Sequence, residues 1–106
     1  MIFFDEFKKL DLRVGKVLSA ERIGNSEKLL KLRVDLGSEE RQIIAGIGKK
    51  YEPETLIGRE IIVVANLEPK IIMGLASQGM LLAANTEEGP VLLRPEKEVA
   101  PGTEIR

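Results

Sequence analysis

The 106-residue chain has no cysteine, no histidine and no tryptophan. Without cysteine there are no disulfides and no thiolate zinc sites. Without histidine the commonest metal ligand and the usual general base at neutral pH are both missing. A hydrolase triad and a histidine metal site are therefore excluded, and no cofactor or metal is expected. No apolar run approaches the roughly 20 residues that span a bilayer. The opening Met1-Ile2-Phe3-Phe4-Asp5-Glu6-Phe7 has acids where a secretory signal carries bases. The expectation is a non-catalytic, cytoplasmic protein without a membrane partner. Aromatics are few (Phe3, Phe4, Phe7 and Tyr51), and three of the four lie in the first ten residues. Proteins that capture single strands of nucleic acid usually stack bases on aromatic rings, so stacking on aromatics is not expected here. Net charge is −1, which argues weakly against nucleic acid, although distribution matters more than the sum.

The length suits one domain. No repeat, low-complexity stretch or linker divides it. Residues 5–10 read as a short helix with Asp5 as its cap and the Lys8-Lys9 pair at its C-terminal end. Residues 11–20 alternate as a half-buried strand, with Gly15 predicting a bulge or bend. Gly24-Asn25-Ser26 is a turn. Leu30 to Leu36 alternates strictly, and Gly37-Ser38 leads through a hairpin into Arg41–Ile47. A helical turn is expected around Pro53-Glu54. Ile61–Ala65 and Gly79–Ala84 read as continuous apolar strands, Val91–Leu93 as a short one, and Pro95–Arg106 as an extended or turn-rich tail. Three strands, a connecting helix and two more strands match an all-β, five-stranded Greek-key OB barrel. The division is an N-terminal helix over 1–10, a barrel over 11–84 and a C-terminal extension over 85–106. The apolar Ile2, Phe3, Phe4 and Phe7, with Val91–Leu93, Val99 and Ile105, predict that the two extensions form a dimer interface.

Lys28, Lys31, Arg33 and Arg41 stand on one hairpin, with Lys31 and Arg33 two residues apart on one strand face. They can meet successive phosphates. Interleaved with Glu27, Asp35, Glu39 and Glu40, they also read as an ordinary solvated face. Ser77-Gln78-Gly79-Met80 joins two polar donors to a glycine and an adaptable apolar side chain at a strand start. It fits an RNA contact as well as it fits a capped turn with Met80 in the core. Asn66 reads as holding a tight turn before Pro69. Gly46-Ile47-Gly48-Lys49-Lys50 lacks the Walker spacing and is discounted as a phosphate loop.

Asp11-Leu12-Arg13-Val14-Gly15-Lys16-Val17 resembles the opening strand of the tRNA-binding domain family. That family includes the C-terminal domain of many methionyl-tRNA synthetases, free-standing homodimeric tRNA-binding proteins and endothelial monocyte-activating polypeptide-like modules. Lys28–Gly37, Arg41–Ile47, Ile57-Gly58, Val63–Leu67, Lys70, Met73-Gly74 and Ser77–Ala84 follow in family order, so the resemblance covers roughly residues 7–106. It implies an OB barrel that binds the outer corner of tRNA by shape, with little sequence dependence. It also implies a homodimer that works with the catalytic part of methionyl-tRNA synthetase, raising tRNA affinity. Lys28, Ser77 and Met80 are implied as central to binding, with Asn66 and Gln78 in support. The alternative is a protein-interaction OB domain that only pairs synthetase subunits. Whether the chain is a separate subunit or an excised C-terminal domain is open in the sequence.

Overall fold

The computed structural model describes residues 1–106. Helix α1 (Phe4–Phe7) is a single turn. Its cap is Phe3, whose N–H donates to the Glu6 carboxylate at 3.0 Å. Asp5 is thus inside the first turn rather than capping it, because Glu6 reaches back to the free amide that starts the helix. Strand β1 (Leu12–Arg22) is long enough to pair along both edges, and β2 (Leu30–Asp35) and β3 (Glu40–Ala45) form the expected hairpin after it. In α2 (Pro53–Leu56) proline takes the first turn, where its missing N–H costs nothing, and Leu56 is fully buried in the barrel core. Strand β4 (Glu60–Val64) is apolar on both faces. Two short strands, β5 (Lys70–Ile72) and β6 (Leu75–Ser77), form a hairpin of their own. They are followed by β7 (Met80–Leu81), β8 (Ala83–Thr86), β9 (Gly89–Leu92) and β10 (Glu104–Ile105).

The main sheet runs β3-β2-β1-β4-β7, all neighbours antiparallel. Strand β10 joins the start of β1, on the edge that β2 leaves free (Leu12 opposite Ile105). The sheet curls until the segment before β7 meets β3. There the Gln78 N–H donates to the Gln42 carbonyl at 2.8 Å, closing a five-stranded OB barrel. Inward side chains fill it: Val17, Leu30, Leu32, Val34, Ile43, Ile61 and Val63 are all buried, with Leu56 among them.

Two expectations need correction. Gly15 is not the bulge; the register shift falls between Val17 and Ser19. A Cβ at Gly15 would lie 2.5 Å from Val34 Cγ1, so the glycine lets β1 and the β2 side chains pack closely. Residues 79–84 are not one strand. The chain leaves β4 after Leu82, whose N–H donates to the Ile62 carbonyl, and turns into the β8–β9 hairpin, which lies outside the main sheet. The tail does return to the barrel. Val14 N–H donates to the Thr103 carbonyl (2.9 Å), Gly102 N–H to the Val14 carbonyl (2.7 Å) and Val99 N–H to Glu60 Oε1 (2.9 Å). Leu92 N–H donates to the Tyr51 hydroxyl at 3.1 Å. The front of the chain is different: Met1, Ile2, Phe3, Phe4 and Leu10 are all exposed.

Candidate nucleic-acid interface

Strand pleating sorts the basic residues. On β2, Leu30, Leu32 and Val34 point into the barrel, so Lys31 and Arg33 share the outer face, as their spacing requires. Both are held by carboxylates of adjacent strands. Lys31 Nζ lies 2.6 Å from Glu21, its direct cross-strand partner, and Arg33 Nε lies 3.3 Å from Glu40. Arg41 does not share that face. It sits opposite the inward Val34 and therefore lies over the barrel end. Its guanidinium donates to the Ala65 carbonyl, to the Gln78 carbonyl at 3.2 Å, and to Glu39. That hydrogen bond and the charge of Arg41 hold the Glu39 carboxyl below its ordinary range. Arg41 thus ties three segments together at one end of the barrel.

Lys28 stands apart from all of these. It forms no ion pair, and its side chain lies across Gly46, its Cε 2.9 Å from where a Cβ would be. A larger residue at 46 would push the lysine away. Lys28 shares an open groove of about 460 Å³ with Lys49 and Lys50, walled on the far side by Glu87, Glu88 and Gly89 of the β8–β9 turn. Lys49 and Lys50 also form no ion pair. Sequence reading missed these two, since it weighed Gly46–Lys50 only as a Walker loop. The usable signal was the plain Lys-Lys step a few residues past a strand end.

The polar residues expected at the site do mostly internal work. Ser77 is only 5% exposed. Its hydroxyl accepts from the Ile44 N–H at 3.0 Å and donates to the Gly79 carbonyl at 3.1 Å, leaving no proton for a ligand. The Gln78 side-chain oxygen accepts from the Gln42 N–H at 3.1 Å, and Gln42 Nε2 donates to the Ala76 carbonyl at 3.0 Å. Gly79 has φ +140° and lies within 3.1 Å (from an ideal Cβ) of the Val64 carbonyl, so any side chain there would be strained. Asn66 lies in the turn after β4, and its side chain reaches beyond that turn. Its Nδ2 donates to the Lys9 carbonyl at 2.6 Å and its Oδ1 accepts from the Asp11 N–H at 2.9 Å, clamping the chain that enters β1. Met80 is half exposed, outside the core.

A family model described as a putative tRNA binding domain matches residues 12–104 of this chain. The chain belongs to the tRNA-binding domain family. The match takes in every barrel strand and the whole lysine groove. A methionine–tRNA ligase of Methanothrix thermoacetophila is 61% identical over all 106 residues, which make up 16% of that protein. The chain therefore spans about a sixth of the curated relatives it matches. Among solved structures, a MetRS-related protein from Pyrococcus horikoshii superposes with a TM-score of 0.93 at 44% identity, covering 100% of this chain and 98% of that one. The CsaA chaperone of Bacillus anthracis gives a TM-score of 0.91 at 37% identity, with 100% and 99% covered. In this tRNA-binding domain, then, Lys28, Lys49 and Lys50 are exposed cations without an ion pair that line one groove. Ser77, Gln78, Asn66 and Arg41 are taken up in internal hydrogen bonds.

Proposed function

We propose that this domain binds tRNA by its backbone and shape, and serves as a non-catalytic module that raises the tRNA affinity of a methionyl-tRNA synthetase. The observation that carries the reading is the groove of Lys28, Lys49 and Lys50, three cations without carboxylate partners beside the outer face of the β2–β3 hairpin. Lysines offer phosphate a charge without a base code, so contacts made there fix position rather than sequence. A module of this kind works by concentrating tRNA near a catalytic body to which it is attached or bound. Such a role places it in the cytoplasm.

Lys31 and Arg33 extend the cationic surface along β2, and their carboxylate partners, Glu21 and Glu40, release them to phosphate at modest cost because all four groups are solvated. Ser77 acts through Gly79 and Met80, whose position its hydroxyl fixes, while Gln78, Asn66 and Arg41 hold the barrel ends. Met80, half exposed at the end of this arrangement, supplies an adaptable apolar contact.

The exposed Met1, Ile2, Phe3 and Phe4 support a homodimer that covers the front segment and presents two grooves to one tRNA. The test is a filter-binding titration with bulk tRNA across salt concentrations. If about three to five phosphates are neutralised, log K falls against log salt with a slope of roughly −2 to −4. A flat response removes the reading. Light scattering of the same samples at micromolar concentration decides the dimer: a mass of one chain with tRNA binding intact shows that pairing is not required.

A further inference from the structure

The β5–β6 hairpin ends in Met73-Gly74, flanked by the register pair Ile72 and Leu75. Both turn residues have positive φ, +49° at Met73 and +78° at Gly74, the signature of a two-residue primed turn. The first position of such a turn favours asparagine or glycine. Met73 is the chain's only non-glycine residue with positive φ. Little of it is covered there: Met73 is 61% exposed, and Ile71 on the same hairpin is 68% exposed. Two large apolar groups at a tip, one of them on strained backbone, serve something outside the chain.

The charge around them restricts what that is. From Pro69 to Thr86 there is no carboxylate and one cation, Lys70, in a protein with 17 acidic residues. An anionic partner meets no repulsion along this stretch. The hairpin is also fastened beside the lysine groove. Ile44, whose N–H is bound by Ser77, and Gly46, over which Lys28 lies, are two residues apart on one extended chain, about 7 Å. An apolar tip on a hairpin whose base is fastened near a cationic groove suits a polyanion that offers base faces as well as phosphates. Paired RNA buries those faces in its stack, whereas unpaired loop nucleotides expose them.

We propose that Ile71 and Met73 pack against unpaired bases of tRNA, and that the hairpin is the element by which the domain tells folded tRNA from plain duplex. This rests on the tRNA-binding reading above. The test titrates tRNA, and a fully paired RNA duplex of similar length, into the parent protein, Ile71→Thr and Met73→Asn. Asparagine suits the turn better than methionine, so Met73→Asn melts no lower than the parent. Each variant is expected to lose roughly five- to tenfold in tRNA affinity, the effect of one partly buried apolar contact. Duplex affinity and the salt slope stay unchanged, because no charge is removed. The proposal is overturned if both variants bind tRNA like the parent, or if they weaken equally toward duplex. It is also overturned if they change the mass in light scattering with tRNA binding intact, which would make the tip a contact between protein copies. A parent that fails to bind tRNA at all overturns the underlying reading, an outcome visible before any variant is compared.

Discussion

Replacing Ser77 by alanine removes one oxygen and almost no volume, so its effect is almost wholly a matter of hydrogen bonds. The Ile44 N–H points away from β2 and donates to Ser77 Oγ; Ile44 is itself buried, and water does not readily take the place of the hydroxyl. Leaving that donor unsatisfied costs about 1–3 kcal/mol. The bond to the Gly79 carbonyl adds about 0.5–1.5 kcal/mol. The expected loss is therefore about 2–4 kcal/mol, a large share of the roughly 5–15 kcal/mol that stabilises a domain. For a domain of this size each kcal/mol moves the midpoint by about 4–8 °C, so Ser77→Ala melts at least about 8 °C below the parent. Thermal melts by circular dichroism, run beside tRNA titrations at a temperature where the variant is folded, read both effects. The folded variant loses no more than about threefold in affinity, since the hydroxyl acts through the backbone it holds. The reasoning is refuted by a variant that melts within about 2 °C of the parent yet loses most of its tRNA affinity. That result would make the hydroxyl a direct ligand contact.

Lys28→Ala lowers affinity for all tRNAs by a similar factor and reduces the magnitude of the salt slope by about 1, as measured by filter binding at four or five salt concentrations. Glu87→Gln combined with Glu88→Gln removes negative charge from the far wall of the groove and strengthens tRNA binding about two- to fivefold at low salt, an advantage that shrinks as salt is added. Gly15→Ala forces a methyl to within 2.5 Å of Val34 Cγ1 and destabilises by about 1–3 kcal/mol, read from the denaturation midpoint, with tRNA binding by the folded protein unchanged.

Much of the barrel was legible because its strands obey period two. Leu30, Leu32 and Val34 alternate with Lys31, Arg33 and Asp35, and the structure buries the first set while the second stays at least partly exposed. Pro53 announced α2 by the same kind of local rule. What escaped was what long-range geometry decides. Gly15 and a bulging glycine look alike in sequence; only the approach of Val34 tells them apart. The β5–β6 hairpin was invisible because Met73-Gly74 is a poor match to the residues its turn prefers. At the site, charge type was readable but pairing was not. Arg41 and Lys28 are equivalent as letters, yet one lies over the barrel end across three segments and the other lies free across Gly46. Lys49 and Lys50 gain meaning only when the barrel brings them beside Lys28.

The contact that closes the barrel has a consequence of its own. Along the outer edge of β3, the Gln42 and Ile44 amides are sealed by the side chains of Gln78 and Ser77, with a single backbone bond between them. Every other ladder of the main sheet opens only by pulling backbones apart, but this one can begin to open by rotation of two side chains. Opening at this seam leaves a curled sheet with β3 as its edge. In that state β3 becomes a bare edge whose second half, Ile43-Ile44-Ala45, is apolar, able to accept an extended segment of another molecule as a new strand. The same two residues that close the barrel thus also guard it against self-association.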